Sequence, residues 1–244
     1  MNFQTVLIDL DGTLLDTIPD LAAAANRMLK ELGAPALPVQ DIATFVGKGT
    51  ENLVKRCLND ARVRHIFSET AGPSGGSRSE DIADALAVFN RHYHAVNGRQ
   101  AQLYPGVTEG LKAFRNQGVS MAVVTNKPTE FTLPLLESMG LSQWFDLVVC
   151  GDTCERKKPD PQPLLHACER LNTAAEHALA IGDSINDALA ARAAGITVLA
   201  VPYGYNEGMD VRELDIDGIV SSIDEAYAWA LNYHPANTVR PQSL

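Results

Sequence analysis

The chain has 244 residues, of which 45% are hydrophobic and 20% charged. That is enough for one large domain, or for one domain carrying a smaller inserted one. A formal net charge of −10 argues against a broad nucleic-acid footprint, which needs a basic face, while one local cationic site remains compatible with a small anionic ligand. No uncharged run approaches the length of a membrane span. The first apolar run is cut short by Asp9 and Asp11 with no basic residue before it, so no secretory signal is visible. The four cysteines, Cys57, Cys150, Cys154 and Cys168, form no C-x-x-C pair and read as free thiols in a reducing compartment. The expectation is a cytoplasmic protein with no membrane or nucleic-acid partner.

In chain order, residues 5–10 form a short apolar run of the kind that makes a buried parallel strand. Residues 17–99 read instead as helices, at 20–32, 41–46, 51–59 and 80–94. Apolar residues recur there at helical spacing, as in Leu53, Val54, Cys57 and Leu58. The Gly- and Ser-rich stretch 72–79 inside this interval has a flexible composition. It lacks the G-K-[ST] ending and the preceding strand that a phosphate-cradling loop requires. Beyond residue 100 strand and helix alternate: helix 107–116, strand 120–125, helix 131–138, strand 147–150, helix 163–171, strand 178–181, helix 186–194, strand 197–201 and a weaker strand 218–220. This rhythm predicts an α/β fold, a doubly wound parallel sheet, into which the helical interval is inserted. Gly118, Gly140 and Gly195 each follow a helix, where a left-handed cap is common. The division expected is a discontinuous α/β core (1–16 and 100–230), a helical domain (17–99) and a flexible tail (231–244).

Chemistry-bearing residues fall at the ends of successive strands, where ligands of parallel sheets bind. Asp9-Leu10-Asp11-Gly12-Thr13-Leu14 follows the first strand directly. Alternation places Asp9 and Asp11 on one side with Leu10 turned into the core. Two acids so close repel unless a cation or a proton separates them; a solvated strand end with a turn at Gly12 is the plainer reading. Thr125-Asn126 ends the second core strand, where a hydroxyl and main-chain N–H groups suit a phosphate oxygen. Lys157-Lys158-Pro159 follows the third, and a lysine ammonium there offsets phosphoryl charge. Gly182-Asp183-Ser184-Ile185-Asn186-Asp187 follows the fourth. If that strand lies beside the first, Asp183 joins Asp9 in an all-oxygen site that suits Mg²⁺, while Ser184 or Asp187 also serves as a helix cap. His92 and His94 flank Tyr93, but alternate helix positions face apart, which argues against a zinc pair.

The four motifs together, Asp-x-Asp-Gly-Thr at 9–13, Thr-Asn at 125–126, Lys-Pro at 158–159 and Gly-Asp-x-x-x-Asp at 182–187, resemble those of the haloacid dehalogenase superfamily. The resemblance implies Asp9 as nucleophile and Asp11 as general acid/base. Thr125, Asn126 and Lys158 would hold the phosphoryl group, Lys158 rather than Lys157 because the family lysine precedes proline. Asp9, the main-chain carbonyl of Asp11, and Asp183 would be metal ligands, with Asp187 completing the shell. The helical insertion is similar to that family's small cap. The run Phe45-Val46-Gly47-Lys48-Gly49 resembles the cap loop of phosphoglycolate phosphatases, where Lys48 would meet a substrate carboxylate; a solvated loop lysine is the alternative, and the sequence leaves both open.

An acid at position 11 points to ester hydrolysis or phosphomutase chemistry. The expected activity is Mg²⁺-dependent hydrolysis of a small phosphorylated metabolite through an aspartyl-phosphate, with 2-phosphoglycolate the substrate that the resemblance implies. A β-phosphoglucomutase-like phosphomutase or a sugar-phosphate phosphatase is the alternative enzyme. A phospho-acceptor signalling module is the alternative of another class, although such modules are shorter and lack a helical insertion. The expected assembly is a monomer or a small homo-oligomer.

Overall fold

The computed structural model describes residues 1–60, 62–63 and 78–234. Its centre is a six-stranded parallel sheet built from β1 (Thr5–Ile8), β4 (Ser120–Val124), β5 (Leu147–Val149), β6 (Ala178–Gly182), β7 (Thr197–Ala200) and β8 (Gly218–Ile219), in the order β5-β4-β1-β6-β7-β8. The pairing is parallel throughout, with Ile8 set between Val123 and Ile181. The chain first builds outward from β1 through β4 to β5, then returns to place β6 on the other side of β1. Strand order therefore reverses at β1/β6, and the crevice beyond their carboxyl ends is where such sheets bind ligands.

Apolar alternation covers both faces of this sheet. Val6, Ile8, Val123 and Ile181 pack with Leu111 and Phe114 of α5 (Val107–Asn116), Leu135 of α6 (Thr129–Ser138) and Ile223 of α9 (Ile223–Leu231). Leu7, Ala122, Val124 and Ala180 face the other way, onto Leu164 of α7 (Gln162–Arg170) and Ala190 of α8 (Ile185–Ala194). The four inner strands β4, β1, β6 and β7 are buried on both sides, which is why they read as continuous apolar runs.

The insertion consists of α1 (Ile18–Glu31), α2 (Val39–Ala43), α3 (Thr50–Asn59) and α4 (Arg78–Val96). These helices share a core of their own that includes Met28, Leu29, Ile42, Leu53, Phe89 and Tyr93, and Phe131 of α6 joins it from the sheet side. Entry and exit are tied by a short antiparallel pair, β2 (Leu15–Asp16) with β3 (Gln102–Leu103). Asp20, fully buried in the first turn of α1, accepts from the backbone N–H of Gly98 (2.9 Å), Gln100 (3.0 Å) and Ala101 (3.1 Å). One carboxylate thus satisfies three donors of the returning chain.

Differences from the sequence expectation are confined to element ends and short elements. Helix α1 begins at Ile18 rather than at 20, because Pro19 suits a first helical turn. Helix α2 covers Val39–Ala43 rather than 41–46 and stops ahead of Gly47, whose φ is +124°. Neither the β2/β3 pair nor α9 is among the expected elements. Two-residue strands carry no periodicity, but α9 has a legible start: Ser222 accepts from the Glu225 N–H at 3.3 Å, within an S-x-x-E pattern. Leu231 closes α9, and the Tyr233 ring stacks on Trp229 and tilts against Phe3. Residues 235–244 of the expected tail, and 72–77 of the expected flexible loop, lie outside the described residues. Gly118, Gly140 and Gly195 have φ of +71°, +67° and +71°, as their capping positions require. Among the described residues no helix is long and apolar enough to cross a membrane.

The Asp20 junction has a measurable consequence. Asp20→Ala leaves three part-buried backbone donors without this partner and should lower unfolding free energy by about 2 kcal/mol. Urea denaturation checks this, and an unchanged midpoint would show that the linkers need no such tie.

Candidate active site

Strand β1 ends at Ile8, and the Asp9 N–H still bonds the Ile181 carbonyl at 2.9 Å, so the nucleophile candidate is held rigidly on the sheet. Leu10 is fully buried. Gly12, at φ +90°, brings the loop so close to Asp183 that a Cβ there would sit 2.5 Å from its Oδ2, which excludes any larger residue. Asp183 follows β6, and its carboxylate accepts from Thr13 Oγ1 (2.9 Å) and the Tyr205 N–H (2.7 Å). Lys158 reaches the same point from the loop after β5. Its Nζ donates to Asp9 Oδ1 (2.8 Å), Asp187 Oδ1 (2.6 Å) and the Val124 carbonyl (2.6 Å). The other oxygen of Asp187 accepts from the Ser184 N–H and hydroxyl, so the helix-capping and site roles of this residue coexist.

Asp9, Asp183 and Asp187 each bring one carboxylate oxygen within 4.8 Å of the others, all three residues buried. Burial pushes the Asp9 carboxyl up to about 7, with Asp187 and Asp11 adding repulsion that Lys158 partly offsets. Burial pushes Asp183 up to about 8, with Asp9 and Asp187 adding to the effect. Lys158 itself stays above the ordinary lysine range: burial pulls it down, but Asp187 and Asp9 outweigh that. One ammonium therefore serves Asp9 and Asp187 and leaves Asp183 without a cationic partner among these contacts, and the deficit is one that a bound cation of hard, oxygen-seeking character would fill. The donor set fits such an ion.

Asp11 is handled separately. Its Oδ1 accepts from Thr17 Oγ1 (2.7 Å), and Lys127 Nζ lies 3.0 and 3.2 Å from its two oxygens. Lys127 also donates to the Tyr93 hydroxyl at 2.5 Å. Lys127 is a residue that sequence reasoning missed, although its position directly after Thr125-Asn126 was signal enough to consider it. Thr125 is buried, and its Oγ1 accepts from the Lys127 N–H. Asn126 bridges the two bodies, donating to Gly47 O of the insertion and to Lys158 O, both at 2.9 Å.

Most of these residues meet at one cleft between the sheet and the insertion. Asp9, Asp11, Thr125, Asn126, Lys127, Lys158 and Ser184 line it from the sheet side, and Leu21, Val46, Gly47, Gly49, Thr50 and Leu53 from the insertion. Asp183 and Asp187 lie behind that lining. Lys48 is exposed and outside the lining, although the glycines on either side of it are part of it; Lys157 is exposed as well. His92 and His94 face apart, one on Glu31 and the other on Glu130.

The family model for haloacid dehalogenase-like hydrolases matches residues 6–201. The chain belongs to this family. It is 52% identical over 223 residues to the phosphoglycolate phosphatase of Nitrosospira multiformis, covering 91% of this chain and 93% of that one. The corresponding enzyme of Thiobacillus denitrificans is 47% identical with the same coverage. Among solved structures, a protein from Haemophilus somnus described as a predicted phosphoglycolate phosphatase superposes with a TM-score of 0.85 at 29% identity, covering 94% of this chain and 99% of that one. CbbY from Rhodobacter sphaeroides, solved in complex with phosphate, shares the fold at a TM-score of 0.72 and 23% identity, covering 91% and 96%. The chain is thus a hydrolase of the phosphatase kind, and family members of that kind generally use a metal ion.

The raised acids make stability pH-dependent. An acid whose folded pKa is raised keeps its proton in the fold but loses it in the unfolded chain near an ordinary value of about 3.9. Stability without a divalent cation should therefore decline as pH climbs toward the value of about 8 at Asp183. Asp183→Asn, measured beside the unsubstituted protein by thermal unfolding in chelator, should show a flatter decline. A saturating divalent cation should raise the unfolding midpoint of the unsubstituted protein and leave that of Asp183→Asn unmoved; equal responses would contradict the site.

Proposed function

We propose that this chain is a magnesium-dependent phosphomonoesterase that works through a phosphorylated Asp9 and hydrolyses 2-phosphoglycolate to glycolate and phosphate. The observation that carries the reading is the separation of two carboxylates on one loop: Asp9 held by Lys158 beside the acidic cluster, and Asp11 held by a different lysine in the same cleft. Unlike surroundings for paired acids are the mark of unlike roles. The substrate is supported by the names of relatives that match over more than nine-tenths of the chain.

Asp9, the main-chain carbonyl of Asp11 and Asp183 would hold Mg²⁺, with Asp187 completing the shell. When bound, the ion supplies the positive charge that lets an anionic phosphate approach an anionic nucleophile. An Asp9 carboxylate oxygen then forms a bond to phosphorus as the ester oxygen leaves, and the leaving oxygen takes its proton from Asp11. Water next attacks phosphorus, its proton passes to Asp11, and the bond to Asp9 breaks, releasing inorganic phosphate. Thr125, the main-chain N–H of Asn126 and Lys158 hold the phosphoryl oxygens, where charge collects. The helical insertion acts as a cap that excludes water and reads the leaving group. Lys48, exposed in the arrangement described, would need further closure to reach a substrate. A cytoplasmic enzyme, monomeric or a small homo-oligomer, fits this role.

Asp9→Asn should lower kcat by more than about 10⁴-fold with the fold retained; steady release of phosphate at the original rate, with deamidation excluded, would remove Asp9 from its role. Across a panel of phosphorylated metabolites, kcat/KM should be highest for 2-phosphoglycolate. A preference for a sugar phosphate would overturn the substrate and leave the reaction type standing.

A further inference from the structure

We propose that Lys127 is a positioning residue for proton transfer by Asp11, anchored in place by Tyr93 of the helical insertion. The inference rests on the reading of Asp11 as the general acid/base. Lys127 is almost completely buried, yet it lines the cleft. Its ammonium lies within hydrogen-bond distance of both Asp11 oxygens, while Thr17 Oγ1 fixes one of them from the side. A carboxylate held by two separate donors is confined in rotation, and proton transfer demands such confinement, because a misplacement of about 1 Å costs about 10²-fold in rate.

Tyr93 supplies the anchor. Its hydroxyl accepts from Lys127 at 2.5 Å, and the ammonium also sits 4.8 Å from the ring centroid. The ring is fully buried between Phe89 of its own helix and Phe131 of α6, with centroids 5.5 and 4.7 Å away. Three parts of the molecule therefore converge on one nitrogen: the loop after β4 that carries Lys127, the loop after β1 that carries Asp11, and helix α4. Stability alone is a poor reason for such a group, because apolar side chains in place of a buried ion pair are often neutral or stabilising. Acting through Asp11, Lys127 makes the setting of the proton donor depend on the insertion being seated on the core.

The test uses three phosphate esters and the full chain. An alkoxide leaves only with help from an acid, whereas p-nitrophenolate leaves as a stable anion with little help. Lys127→Met should therefore lower kcat/KM on 2-phosphoglycolate and on ethyl phosphate alike, by about 10²-fold, and leave p-nitrophenyl phosphate within about threefold. Tyr93→Phe, which keeps the buried ring, should show the same pattern at a smaller size, and it carries the test if Lys127→Met does not fold. An equal loss on all three esters would reduce Lys127 to a structural role and overturn the proposal. Loss confined to 2-phosphoglycolate would overturn it too, by making Lys127 a receptor for the substrate carboxylate. Asp11→Asn on the same esters separates the two levels. If that variant spares the alkyl esters, the acid/base reading itself fails; if it shows the expected pattern and Lys127→Met does not, only the present inference fails.

Discussion

Four carboxylates, Asp9, Asp11, Asp183 and Asp187, are gathered at the carboxyl ends of two adjacent strands, three of them within reach of a common point. Their mutual repulsion is the constraint around which the rest of the site is arranged. Lys158 is shared between Asp9 and Asp187, and Lys127 is assigned to Asp11. Two buried ammonium groups against four acids leave the cluster short of positive charge. A fold optimised for stability would not collect acids in this way. Burial first, and then the neighbouring acids, raise the Asp9 and Asp183 carboxyls, a shortfall of positive charge that a bound cation would relieve.

Topology makes the gathering possible. Because β6 returns to lie against β1, loops 170 residues apart in sequence meet, as in the bond from Thr13 to Asp183. Two glycines permit the approach. Gly12 has no room for a side chain beside Asp183, and neither has Gly204 on its other side, where a Cβ would fall 2.1 Å from the Asp183 Cβ. The helical insertion then covers the strand ends and is fastened at two levels: by Asp20 at the linkers, and by the Asn126–Gly47 and Lys127–Tyr93 bonds at the cleft.

Much of this was legible from residues alone. Apolar runs bounded by acids or glycine located every strand of the main sheet, since doubly buried strands cannot be polar. The acids Asp9, Asp11 and Asp183 stood out because carboxylates so close after such runs have no structural necessity, whereas Asp187, which also caps a helix, stood out only through its spacing from Asp183. Lys158 was separable from Lys157 only through its proline neighbour and the resemblance this completes; the structure buries the first and exposes the second. What the sequence concealed is long-range pairing between ordinary-looking residues. Nothing local in Tyr93 or Lys127 says that they touch, since 34 positions separate them. Asp20 likewise reads as a favourable first-turn acid, and only the folded chain shows that its partners lie some 80 residues away. Lys48 illustrates the converse: its glycine neighbours line the cleft, while the charged side chain that drew attention is exposed.

The central claim is that Asp9 carries the phosphoryl group during turnover. It is tested most directly by rapid acid quench with ³²P-labelled substrate, followed by peptide mapping. The account predicts transient label, sensitive to hydroxylamine, on the peptide that contains Asp9. Sustained turnover with no labelled protein at any quench time, or label on another residue, would contradict it.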